Sequence, residues 1–191
     1  MAGARAPFRR RGVAKTPEAV PDPGDDWRPR YVVVGTPNLS GKIRADADLG
    51  VAHGTRSEVR AYGYYGDRSE GRNTVRYCTT PGTTSYGWII DFDGTVYELG
   101  GYHGAAWHAG YLNDDSRGVA FAQANDGDPL THAQIRSFRW LAQDINKMGL
   151  VPLVRTLDEN RPGWIEHREA AQGKASRKSD VGTISWSEVL S

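Results

Sequence analysis

The sequence predicts a single α/β domain, a mixed central β-sheet flanked by helices, and three observations carry that prediction. Short apolar, partly β-branched runs recur between Gly, Pro and Asp, as buried strands do. An Asp-Gly pair divides two such runs, the strongest short-range signal for a tight hairpin. One long segment keeps its apolar residues on a single helical face. At 191 residues the chain is long enough for one domain with a proper core and too short for two typical ones. Periodicity alone leaves α+β open beside α/β, and it does not order the strands.

The strand candidates are Tyr31 to Val34, Leu49 to Ala52, Trp88 to Phe92, Thr95 to Leu99 and Gly118 to Ala122. Asp93-Gly94 joins the third and fourth as a ribbon at the heart of the sheet. The clearest helix runs from Thr131 to Met148, with Ile135, Phe138, Leu141, Ala142, Ile145 and Met148 on one face. Thr131 and Gln134 form a capping box at its start, and Gly149 supplies a left-handed stop. A shorter helix is read over Ser69 to Cys78, against the weak propensities of Gly71 and Val75.

Composition narrows the function classes. Hydrophobic residues at 38% and charged residues at 25% are ordinary for a soluble protein, and no apolar run approaches the roughly 20 residues that span a bilayer, so no membrane insertion is expected. The opening MAGARAPFRRRG has the charge of a signal peptide's first region with no apolar stretch after it, so no signal-led export is expected. One cysteine, Cys78, excludes an intramolecular disulfide and fits a reducing compartment. A net charge of +1 argues against nucleic acid as a partner of the whole domain. The charge is uneven, however. Arg5, Arg9, Arg10, Arg11 and Lys15 precede Glu18, Asp22, Asp25 and Asp26, which lie among prolines. Residues 1–26 therefore read as an extended, solvated tail and 27–191 as the folded domain.

Chemistry concentrates around the histidines. His53 ends a strand run before Gly54-Thr55, which places an imidazole at the rim of the sheet; a plain hydrogen-bonded strand-end histidine is the competing reading. Glu166-His167-Arg168-Glu169 is followed by Lys178-Ser179-Asp180, a spacing at which a His and a carboxylate can converge across a loop. Two imidazoles and one carboxylate leave the fourth tetrahedral position of Zn²⁺ open, as a hydrolytic site requires. A charged surface loop is the alternative.

In order along the chain, five segments resemble the zinc-dependent N-acetylmuramoyl-L-alanine amidases, a family that includes phage endolysins, muropeptide-recycling amidases and peptidoglycan recognition proteins. They are Leu49 to Arg56 (LGVAHGTR), Ser85 to Tyr97 (SYGWIIDFDGTVY), Trp107-His108-Ala109-Gly110, the EHRE segment and the KSD segment. The resemblance spans roughly residues 30 to 190.

What it implies is specific. His53, His167 and Asp180 should hold one Zn²⁺. Lys178 should stabilise the tetrahedral intermediate, Tyr86 should act beside the metal's water, and His108 and Trp107 should line the cleft that takes substrate. The implied reaction is hydrolysis of the amide between N-acetylmuramic acid and L-alanine in bacterial peptidoglycan. An endolysin acting on the host wall after release is the form expected. The basic tail would attract anionic wall polymers.

Three departures from the family's pattern stand out. Val181 replaces a proline after the last ligand. Gly87 stands where many relatives carry a histidine, which implies a wider cleft. Ala120 replaces a glutamate of the recycling enzymes, so proton handling is expected to fall to Tyr86, Lys178 and the water.

Other candidates are weaker. His103 reads either as groove lining or as a loop histidine, and His132 as surface. Of Trp88, Tyr97, Tyr102, Trp107 and Tyr111, Trp107 is the one expected to offer a sugar-stacking face. Arg168 and Glu169 read as solvated charges. Two rival functions are a binding module that only grips peptidoglycan, and a phage structural protein using the tail as an arm. The complete ligand set favours the enzyme.

Overall fold

The computed structural model describes residues 27–55, 70–123, 127–177 and 180–191, so the expected tail at 1–26 lies outside the described residues. Eight strands and four α-helices follow one another as β1 (Tyr31–Val33), β2 (Leu39–Lys42), β3 (Leu49–Gly54), α1 (Glu70–Cys78), β4 (Trp88–Ile90), β5 (Val96–Glu98), β6 (Gly104–Ala106), β7 (Ser116–Phe121), α2 (His132–Lys147), β8 (Gly163–Glu166), α3 (Ala171–Ala175) and α4 (Trp186–Val189). Six strands form one sheet in the order β1-β5-β4-β7-β3-β8, and β2 and β6 form a separate antiparallel pair. In the main sheet β4 and β5 are antiparallel while every other neighbouring pair is parallel, so the sheet is mixed, as expected.

Burial explains the central strands. Every residue of β3, β4, β7 and β8 is buried, which is why their sequences read as continuous apolar runs rather than as alternation. Ala52, Trp88, Ile90, Val119 and Phe121 share one face and pack under Phe138, Leu141 and Ile145 of α2. The opposite face carries Ile89, Ala120, Tyr97 and Leu99 against Cys78 of α1, with Val51 and Ile165 alongside in a second cluster. Side chains two apart on a strand share a face, so His53 lies with Val51 on the side away from α2.

The hairpin turn is closed by the Gly94 N–H donating to the Asp91 carbonyl, with Gly94 at φ +84°, a conformation favoured by glycine. In α1, Gly71 is required by proximity: a Cβ there would fall 2.4 Å from Cγ of Asp91, whose Oδ1 accepts the Gly71 N–H. The residue that weakens helix propensity is the one that lets the hairpin cap the helix. That helix walls the cleft.

The long helix begins and ends as read, with the reciprocal Thr131–Gln134 capping box and Gly149 at φ +71°. Met148 departs from the reading: it is the C-cap and 49% exposed, because the apolar face runs out one turn earlier at Ile145. Thr131 also donates its hydroxyl to the Phe92 carbonyl, tying the helix start to the hairpin. Replacing Thr131 with Ala should therefore cost about 1–2 kcal/mol. Urea titration should show a lower midpoint at unchanged slope. A midpoint equal to the parent's would show that the cap adds nothing to the tertiary packing.

Among the described residues no helix is long and apolar enough to cross a membrane.

Candidate metal centre

β3 and β8 are parallel neighbours, with Ala52 opposite Glu166. One residue further along stand His53, still on β3, and His167, just past the end of β8, so residues 114 apart in sequence are brought to the same end of the sheet. Their rings lie 4.5 Å apart, centroid to centroid. Ligands of open α/β sheets gather at this carboxyl end of the strands. Asp180 reaches the pair from the segment after α3.

Asp180 arrives through a tight approach. Its carbonyl carbon would lie 3.0 Å from a Cβ on Gly54, and Oε1 of Gln123 would lie 2.1 Å away, so a side chain next to His53 would displace Gln123 and crowd the Asp180 backbone. Asp180 itself adopts φ +33°, a left-handed backbone that Asp tolerates better than most residues. The site holds that strain to aim the carboxylate.

One potential ligand atom from each of His53, His167 and Asp180 lies within 4.8 Å of the other two, and all three residues are buried. Nδ1 of His167 and Oδ2 of Asp180 approach to 2.7 Å, yet neither makes a hydrogen bond. Two buried polar atoms held this close without a hydrogen bond between them are costly unless something binds there. A tetrahedral divalent cation with nitrogen and oxygen donors fits that donor set. Nε2 of His167 hydrogen-bonds to Oε1 of Gln172, the outer contact that typically orients a metal-bound imidazole.

A cleft of about 700 Å³ opens above these three residues, with Asn73, Thr74 and Tyr77 of α1 on one wall and Tyr86, Trp107 and Asn113 on others. The Tyr86 ring lies 5.3 Å from that of His53. Burial, with smaller contributions from Cys78 and Asp180, raises its hydroxyl well above the ordinary phenol range. Among the described residues the hydroxyl has no hydrogen-bond partner. Trp107 is 38% exposed at the rim. His108 also borders the cleft, but its ring is buried, with Nδ1 3.0 Å from Nε2 of His53. Burial lowers its pKa to about 4, and the neighbouring His167 adds to that effect, so the ring is neutral at physiological pH.

The remaining expectations sort by contact. Lys178 lies outside the described residues. His103 is exposed and absent from the cleft lining, and His132 is on the surface. Trp88 and Tyr97 are core, Tyr102 bonds to Asp144, and the exposed Tyr111 bonds to Glu159. Gly87 is not among the residues that line the cleft, and a Cβ there would lie 3.0 Å from the Gly118 carbonyl oxygen. Val181 is buried in the core cluster under α2, in place of the turn-forming proline.

Glu169 is not a solvated charge. It accepts the Glu166 N–H and pairs with Arg155, while Glu166 caps back, so the 3₁₀ turn carrying His167 is braced from both sides. Arg168 pairs with Glu166. Gln172, Gln123 and Ser116 are contributors that no motif announces, because each acts through a contact distant in sequence or by helix-turn geometry.

A family model described as N-acetylmuramoyl-L-alanine amidase matches residues 28–183. The chain belongs to this amidase family. Solved structures with the same fold include the endolysin amidase LysCS from Clostridium intestinale, at 17% identity and TM-score 0.55, covering 85% of this chain and 94% of that one. A selenomethionine derivative of AmpD aligns at 20% identity and TM-score 0.58, again over 85% and 94%. A complex of tracheal cytotoxin with the ectodomains of peptidoglycan recognition proteins LCa and LCx aligns at 17% and TM-score 0.55, over 74% and 87%. At these identities the likeness is one of fold. No curated protein matches the chain significantly in sequence.

Proposed function

We propose that this amidase is a zinc hydrolase that cuts the bond between N-acetylmuramic acid and L-alanine in peptidoglycan. The observation that carries the reading is the buried His53–His167–Asp180 cluster with two ligand atoms left without hydrogen bonds. Zinc held there would supply an activated water and polarise the scissile carbonyl.

The chain's own residues divide the rest of the work. Gln172 fixes the His167 ring by accepting its Nε2–H, and the brace of Arg155, Glu166 and Glu169 holds the turn beneath it. Tyr86 keeps its proton and so acts as a hydrogen-bond donor. Ala120 sits opposite His53 in the β3–β7 register, where it offers no carboxylate. Among the described residues that line the cleft, Asp180 is the one acid. Charge developing on the substrate oxygen is then met by Tyr86 and by Lys178, two residues before Asp180. Trp107 offers an exposed face for a sugar ring.

Within this reading the protein acts on a bacterial wall as an endolysin, made in the host cytoplasm, and residues 1–26 raise its concentration near anionic wall polymers. A non-catalytic peptidoglycan-binding role needs no intact ligand set, and the chain keeps one. Metal analysis beside mass spectrometry of digested peptidoglycan tests the proposal. One zinc per chain and release of peptides with free L-alanine amino termini are expected. New reducing sugar ends, or zinc-loaded protein that leaves the wall intact, would reject it.

A further inference from the structure

We infer that His108 is a positioning residue for the metal centre: with Ser116 it fixes the tautomer of His53, so that Nδ1 of His53 is the atom presented to the metal. The inference rests on the zinc reading above and assigns His108 a role other than lining the cleft for substrate.

The proton positions are fixed from the backbone inward. Nε2 of His108 lies 3.4 Å from both the carbonyl oxygen and the hydroxyl oxygen of Ser116. The Ser116 hydroxyl gives its own proton to the Leu112 carbonyl at 2.6 Å, so it faces His108 as an acceptor. A nitrogen between two acceptors carries the proton, which makes His108 the Nε2–H tautomer. Its Nδ1 is then an acceptor. The atom 3.0 Å from that Nδ1 is Nε2 of His53, which must therefore be the donor. A His53 ring protonated at Nε2 has its lone pair on Nδ1, the same assignment that Gln172 imposes on His167 through that residue's Nε2. Both imidazoles then present Nδ1 to the ion.

Two features hold the relay rigid. Asn113 Oδ1 accepts the backbone N–H groups of His108 and Ala109, pinning the loop. The ring lies over Gly118, where a Cβ would fall 2.6 Å from Cγ of His108, so the bare backbone of β7 makes its place. Outer partners of this kind typically contribute 10- to 100-fold to metal affinity.

The substitution His108→Phe keeps the shape and removes the acceptor. His108→Asn puts an amide oxygen where Nδ1 stood. Zinc titration of protein stripped by chelator should show affinity reduced about 10- to 100-fold in H108F and restored to within a few-fold of wild type in H108N. His53→Ala, run in parallel, separates the two levels. Wild-type affinity in H108F together with zinc loss in H53A would overturn the relay and leave the metal centre standing; full zinc in H53A would overturn both. Should H108F fail to fold, imidazole ¹⁵N spectra of the zinc-loaded wild-type protein decide the matter. Protonated Nε2 on both His53 and His108 is expected, and an Nδ1–H on either overturns the relay.

Discussion

Replacing Asp180 with Ala should reduce peptidoglycan hydrolysis to background and make the melting temperature insensitive to chelator. The carboxylate is buried, its Oδ2 lies 2.7 Å from Nδ1 of His167, and Gly54 and the left-handed backbone at Asp180 exist to bring it there. Two neutral imidazoles without it bind a divalent cation weakly. An ion that binds only the folded state stabilises it by about 4 kcal/mol when its free concentration is 1,000 times the dissociation constant. Chelation should therefore lower the melting temperature of the parent, by roughly 2–4 °C per kcal/mol for a domain of this size, and leave that of D180A unmoved. D180C should keep zinc, because thiolate is an equally good donor. It should be less stable than the parent, since the positive φ suits Cys less well than Asp. Full zinc occupancy in D180A would show that the third ligand is another residue.

What could be read in the sequence tracks how local each feature is. The α2 helix was legible nearly to the residue, because its cap, its stripe and its glycine stop all lie within one segment. The hairpin was legible for the same reason. Strand order was not, since β7 inserts between β4 and β3, and β8 joins the far edge, through pairings that no local pattern encodes. His53 and His167 were marked as candidates by their neighbours in sequence, but only the β3–β8 register explains why they meet. His108 was marked by the same kind of motif and placed in the cleft wall. Its contacts to Ser116 and across Gly118 depend on how the loop folds over β7, and they turn the ring toward His53. Glu169 read as a surface charge because its partner Arg155 is 14 residues away on another segment.

The catalytic pair carries the second large effect. Tyr86→Phe should lower turnover about 10- to 1,000-fold with zinc content unchanged, the usual weight of a group that moves or orients a proton at the reacting centre. Its ring borders the cleft 5.3 Å from that of His53, and its hydroxyl has no partner among the described residues, so it is available to substrate. Burial raises the phenol's pKa, so it titrates above its ordinary range and stays protonated across neutral pH. It therefore donates rather than abstracts, and the pH profile of turnover should show no limb from Tyr86 between about pH 6 and 9. Lys178→Ala removes the cation that the resemblance places against the developing oxyanion, a loss that typically costs on the order of 100- to 1,000-fold. Both variants should bind zinc as the parent does. If the two groups serve one charge, the double variant should lose less than the product of the single losses, because the second removal acts on a site already stripped of its partner. Near-normal turnover in zinc-loaded Y86F would remove the tyrosine from the reaction and leave Lys178 as the charge-stabilising side chain.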